Sequence, residues 1–216
     1  MRRGISAFII GAVLLLVPAS ANAVTESTTR FVASFEGFFS CVYADPAGHA
    51  TIGYGRLLHY GPPTRQDQRK WGCISEARAL RMLRSDLSKY EAEVLKRIEG
   101  ARVTPSMMTA LTSFAFNLGP GALDYLPAKG KGSNTFIAWH VRKGNYRTAG
   151  QQMMLFDGII VNGRRYELEG LQIRRRKEFR LMVKDIDKIQ NCGSKCSGQD
   201  TSGGLVPSAS GGLTAR

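Results

Sequence analysis

The chain has 216 residues, 43% of them hydrophobic, with 30 Lys and Arg against 17 Asp and Glu, for a formal net charge of +13. That length and apolar content exclude disorder throughout and suit one domain, or two lobes sharing a connection. The charge points to a polyanionic partner such as nucleic acid, anionic lipid or an anionic wall, although solubility alone also accounts for it, and no nucleic-acid-binding motif is present.

Residues 1–23 read as a targeting segment. Arg2 and Arg3 form a positive start, Ile5 to Val17 is apolar, and Ala21-Asn22-Ala23 is a small-residue cleavage site. Residues 4–25 carry no charge, a run just long enough to span a bilayer if uncut. Gly11, Ala12, Pro18, Ala19 and Ser20 dilute that run, and cleavage after Ala23 is favoured over a stable anchor. Either way the expectation is export to the periplasm or beyond, with transient inner-membrane contact through this segment. Export favours a wall or membrane surface over nucleic acid as the polyanion.

Thr25 to Glu36 predicts a short helix with Phe31 and Phe35 on one face, ending near Gly37 and carrying Glu36 at its C-terminal end. The next stretch carries hairpin signals. Cys41 to Tyr43 is β-prone, Asp45-Pro46-Ala47-Gly48 is a turn, and Thr51, Ile52 and Tyr54 resume a β pattern between glycines. Such a turn folds Thr51 back towards Asp45 while Glu36 approaches from the preceding helix. His49, in the turn, is given no chemistry.

Cys41, Cys73, Cys192 and Cys196 would meet an oxidising compartment after export, where disulfides persist. Their spacing lacks the His partners and paired C-x-x-C units of a zinc site, so no metal is expected. Of the three pairings that four cysteines allow, Cys41–Cys73 with Cys192–Cys196 is favoured. A bridge at Cys41 would stiffen the segment between Glu36 and Asp45; a plain buried apolar role for Cys41 stays open.

Leu57 to Gly72, polar and holding Pro62 and Pro63, reads as irregular. Ser75 then caps a long helix to Glu99, about 37 Å at the standard rise, with Leu80, Leu83, Leu87, Tyr90 and Val94 at alternating steps of three and four. Thr104-Pro105 opens a second helix, with Met108, Leu111, Phe114 and Ala115 on its apolar face and a stop at Asn117 to Gly121. Phe114 and Phe116 read as packing.

Lys129 to Ser133 reads as a flexible loop, with Ser133 capping a helix through Trp139 to Val141. There Trp139 is expected to be a buried aromatic and His140 an exposed helix residue. Asn145 starts a further helix through Met153. Ile159 to Tyr166 reads as a loop around Asn162-Gly163, and Gly170 to Glu178 opens the last helix. Three consecutive arginines, Arg174 to Arg176, cannot share one helix face, so some must point to solvent. The domain is expected to span residues 24–190, with residues 191–216 a flexible Gly/Ser-rich tail.

The chemistry centres on Phe35 to Gly55. Two carboxyl groups in different environments suit acid-catalysed cleavage of a glycosidic bond, one donating a proton and the other staying ionised. Phe35, Phe38 and Phe39 give Glu36 an apolar setting, and Asp45 at a polar turn is the ionised partner. Taken singly, these are ordinary surface residues, and Thr51 is simply β-prone.

Taken together, Glu36-x8-Asp45-x5-Thr51, the hairpin ADPAGHATIGYG, and the later stretches LTSFAFNLGPGAL and GLQIRRRKE resemble the phage-type lysozymes of glycoside hydrolase family 24, over about Val24 to Ile189. The resemblance implies an α+β lysozyme-like fold, mostly helical, with a small β-hairpin lobe and a larger helical lobe joined by the long helix. It implies a monomeric endolysin acting on peptidoglycan, which cuts the β-1,4 bond between N-acetylmuramic acid and N-acetylglucosamine and needs no cofactor. Glu36 would be the general acid, and Asp45 with Thr51 would position water in an inverting reaction. Tyr54 would support the site, and Arg174 or Arg175 would close over the cleft and pair with Glu36 or contact the glycan. Arg174 pairing with Glu178 along the helix would be compatible with that. The first alternative is a lytic transglycosylase, which would use Glu36 but not the water pair. The second is a non-enzymatic cationic wall or membrane disruptor.

Overall fold

The computed structural model describes residues 24–124 and 136–190. Residues 1–23, the Lys129–Ser133 loop with its cap, Cys192, Cys196 and the 191–216 tail lie outside the described residues.

Helix α1 (Glu26–Ala33) is capped by Thr25, whose hydroxyl accepts from Thr28 N. A three-stranded antiparallel sheet follows, β1 (Phe39–Ala44), β2 (Ala50–Gly53) and β3 (Arg56–His59), in the order β1-β2-β3. Then come α2 (Arg65–Trp71), the long α3 (Glu76–Arg97) and α4 (Pro105–Leu118), which ends in a short 3-10 turn at Pro120–Asp124. The remainder is α5 (Ile137–Arg142), α6 (Tyr146–Met153), a second hairpin β4 (Gly158–Val161) and β5 (Arg164–Glu167), α7 (Glu169–Val183) and α8 (Ile186–Gln190).

Two apolar cores result, and α3 belongs to both. Ala79, Leu83 and Leu87 join Val32, Val42, Ile52 and Ile74 in the smaller core. Val94 and Ile98 join Met107, Leu111, Phe114, Ile137, Val141, Met153 and Met182 in the larger one. The α+β two-lobed expectation holds, as do the Ser75 and Thr104 caps and the proline at the first turn of α4.

Other readings need correction. The stretch Leu57 to Gly72 is ordered: β3 adds a third strand, and Thr64 and Asp67 form a reciprocal capping box that starts α2 directly after the two prolines. Ile159 to Tyr166 is a hairpin, because Asn162 (φ 51°) and Gly163 (φ 76°) both take the left-handed conformation that a tight two-residue turn requires. α7 is followed by α8, so it is not the last helix. Trp139 is only partly buried, while His140 is buried in α5 beside Ile137 and Val141, and burial pushes its imidazole down from the ordinary value.

Candidate active site

The first hairpin sets the position of two of the three expected residues. Tyr43 pairs with Thr51 and Ala44 with Ala50, and the turn closes with Asp45 N donating to His49 O at 2.9 Å and Gly48 N to Asp45 O at 2.8 Å. Gly48 takes φ 84°, a conformation costly for any side chain. Asp45 Oδ1 accepts from Ala47 N (2.9 Å) and His49 N (2.8 Å). Thr51 is 2% exposed, and its hydroxyl donates to His49 O at 3.2 Å. Asp45 and Thr51 are therefore tied to the same residue, His49, through its backbone N–H and C=O. Asp45 Oδ2 has no hydrogen-bond partner among the described residues.

Behind the strand, the Cys41–Cys73 disulfide joins β1 to the segment after α2, and Ile74 N donates to Ser40 O at 2.8 Å beside it. The favoured pairing of these two cysteines is the one observed.

Glu36 lies just past α1, in a turn where its N–H donates to Ala33 O at 3.1 Å. Its carboxylate, 27% exposed, accepts from Arg174 Nη1 at 2.8 Å. Arg174 is 4% exposed and lies over the Phe35 ring at 4.9 Å, with Lys177 at 5.0 Å from the same ring. The apolar setting expected from three phenylalanines is thus narrower than the sequence suggested. Phe38 and Phe39 are exposed and pair with Tyr54 and Tyr43 respectively. The Tyr43 hydroxyl is pushed up from its ordinary value by burial first, then by Asp45 and by Glu36, so both carboxylates act on one phenol.

Of the two candidate arginines, Arg174 reaches Glu36 and Arg175 does not. Arg175 turns inward, 1% exposed, bonding Asn117 Oδ1 at 2.6 Å, pairing with Glu178 at 3.1 Å and lying over Phe114 at 4.7 Å. Burial pushes its guanidinium down to about 10. Arg176 points to solvent, and Arg174 also pairs with Glu178 at 3.2 Å along the helix. Tyr54 is a buried member of the smaller core whose hydroxyl donates to Glu76 at 2.8 Å, and burial, then Glu76, pushes it up.

Sequence reasoning missed Ser113 and Asn117 as neighbours of the site, while the expected helical pairing of Arg174 with Glu178 is observed. Ser113 and Asn117, four residues apart on α4, share the face turned to α7. That spacing, inside LTSFAFN, was the available signal. Among the described residues no group of His, Cys, Asp and Glu is arranged to hold a metal ion.

Residues 33–178 match the family model described as phage lysozyme, a span that takes in Glu36, Asp45, Thr51, Arg174 and Glu178. The endolysin of Bacillus phage B103 is 35% identical over 131 residues, 56% of this chain and 47% of that protein, so the chain spans under half the length of that relative. Among solved structures, the endolysin from Escherichia coli O157:H7 phage FAHEc1 superimposes with a TM-score of 0.59 at 26% identity, covering 75% of this chain and 94% of the other. The muramidase domain of SpmX from Asticaccaulis excentricus gives 0.58 at 25% identity, covering 74% and 97%. With the family model matched from the end of α1 into α7, this chain belongs to the phage lysozyme family.

Proposed function

We propose that the chain is a peptidoglycan hydrolase, an endolysin-type muramidase that cuts the β-1,4 bond between N-acetylmuramic acid and N-acetylglucosamine. The observation that carries this reading is the Glu36 carboxylate, 27% exposed and held at 2.8 Å by Arg174 from a distant helix, beside the hairpin that carries Asp45 and Thr51. The identities of the similar proteins, two endolysins and a muramidase domain, support it.

In this reading Glu36 protonates the leaving glycosidic oxygen as the bond to the anomeric carbon breaks. Asp45 accepts a proton from water attacking the opposite face of the sugar, the single-displacement route that inverts the anomeric centre. Thr51 fixes the other side of that water through its hydroxyl lone pairs. The backbone of His49 holds Asp45 and Thr51 at a set spacing, so the water site is built into the turn. Arg174 orients Glu36 and stays out of the proton transfer. The first 23 residues direct export, which brings the enzyme to the wall with passing contact at the inner membrane, and the basic surface draws it to an anionic wall. No helix among the described residues is long and apolar enough to cross a membrane.

Digestion of purified peptidoglycan by the full-length protein beside its Glu36→Gln variant, with mass analysis of the fragments, tests the proposal. Reducing muropeptides from the wild type alone are expected, and the first-formed anomer reads the stereochemistry. Anhydro products would reassign the enzyme as a transglycosylase. Lysis by both proteins without sugar release would overturn enzymatic cleavage altogether.

A further inference from the structure

Behind the Glu36–Arg174 pair lies another carboxylate, Glu178, with no solvent exposure at all. It sits one helical turn beyond Arg174 on α7, facing α4. Its Oε1 accepts from Ser113 Oγ at 2.7 Å and from Arg174 Nε at 3.2 Å, while Oε2 forms an ion pair with Arg175 at 3.1 Å. Burial pushes the Glu178 carboxyl up, against the pull of Arg175, Ser113 and Arg174.

The result for Arg174 is that all three guanidinium nitrogens are used. Nε meets Glu178, Nη2 donates to Ser113 O (3.1 Å) and Oγ (3.3 Å), and Nη1 is left for Glu36 at 2.8 Å. Arg175 is anchored in turn by Asn117 and the Phe114 ring. A carboxylate buried this deeply is costly, and apolar packing between α4 and α7 would not need it.

We propose that Glu178, with Ser113, is a positioning residue for the glycosidase reaction: it fixes the plane of Arg174 so that one N–H alone is aimed at Glu36, and it supplies the counter-charge that keeps Arg174 from binding Glu36 as its only carboxylate. This inference rests on Glu36 acting as the general acid. Among the described residues, Lys177 on α7 lies at the ring of Phe35, next to Glu36 in the chain, and Tyr43 on β1 is acted on by both Glu36 and Asp45. With Glu178 neutral, the positive field of Arg174 at Glu36 would be less balanced, and the charged form of the acid would be favoured.

The experiment compares full-length wild type, Glu178→Gln, Ser113→Ala and Glu36→Gln for kcat, KM and pH profile on peptidoglycan, with near-UV circular dichroism as the check on folding. Glu178→Gln is expected to lower kcat roughly ten-fold with KM within about two-fold, as loss of a supporting partner does. The alkaline limb of its pH profile is expected to move to lower pH. Ser113→Ala, which removes hydrogen bonds but no charge, is expected to lower kcat without moving that limb. A folded Glu178→Gln protein with wild-type kcat and pH profile, beside an inactive Glu36→Gln, would overturn the positioning role alone. If Glu178→Gln does not fold, wild-type kcat in Ser113→Ala overturns it instead. Full activity in Glu36→Gln would remove the acid assignment on which the role depends.

Discussion

Glu36 and Arg174 are separated by 138 residues of chain and by 2.8 Å in the fold. The pair joins the turn after α1 to the middle of α7, and it separates the roles of two neighbouring arginines. Arg174→Ala is expected to lower kcat by about a hundred-fold, because Glu36 loses the group that aims it. Arg175→Ala leaves Glu178 and Asn117 with a missing buried partner, and is expected to cost about 3–5 kcal/mol of stability. Steady-state kinetics and urea unfolding on both variants separate the two effects. Unchanged activity and pH profile in Arg174→Ala would remove this arginine from the site.

Asp45 has two duties that substitution can divide. Its Oδ1 holds the turn through Ala47 N and His49 N, and its charge is proposed to activate water. Asp45→Asn keeps an acceptor for the turn, so the melting temperature is expected to stay within about 2 °C while activity falls by at least about a hundred-fold. Asp45→Ala is expected to lose both. Thermal melts beside turnover rates would show the difference.

The Cys41–Cys73 bridge closes a separation of 32 residues around the hairpin and α2. On chain-entropy grounds its removal by Cys73→Ser is expected to cost about 3–4 kcal/mol. The damage should concentrate in the smaller core, read by hydrogen exchange as faster exchange in β1 and β2 than in α4 and α6.

Glu91, on α3, is buried with Oε2 lacking a hydrogen-bond partner among the described residues, and burial pushes its carboxyl up from 4.5 to about 7. A raised carboxyl binds its proton more tightly in the fold than in the unfolded chain. Its contribution is therefore full below about pH 4.5 and is lost as pH rises through about 7. Glu91→Gln, which cannot ionise, is expected to raise the melting temperature by about 2–4 °C at pH 8 and to change it little at pH 4. Equal effects at both pH values would contradict the ionisation account.

The parts legible in the sequence were those fixed by local chemistry. Ser75 and Thr104-Pro105 announce α3 and α4 because a cap acts within one turn. The arginine that meets Glu36 was not legible, since the choice depends on how α7 is rotated about its axis. Successive steps of about 100° send Arg174 to Glu36, Arg175 to α4 and Arg176 to water. The β4–β5 hairpin is not legible from Asn162-Gly163 alone, since the same dipeptide also punctuates loops; the β-prone Ile159 to Val161 before it is the signal that decides for a hairpin. α2 was missed because two prolines precede it, and its capping box uses Asp67 in place of the more familiar Glu or Gln. His140 went the wrong way because a lone histidine carries no periodic signal of its own.

Both cores hang on α3, and between Glu76 and Arg97 that helix has neither proline nor glycine, the residues at which helices commonly kink. Mechanically, this makes the molecule a pair of tweezers sprung by a continuous rod. Spreading the jaws would flex α3 along its length and would have to release two clasps between the lobes, the Glu36–Arg174 pair and the buried Thr28–Thr109 hydrogen bond that joins α1 to α4.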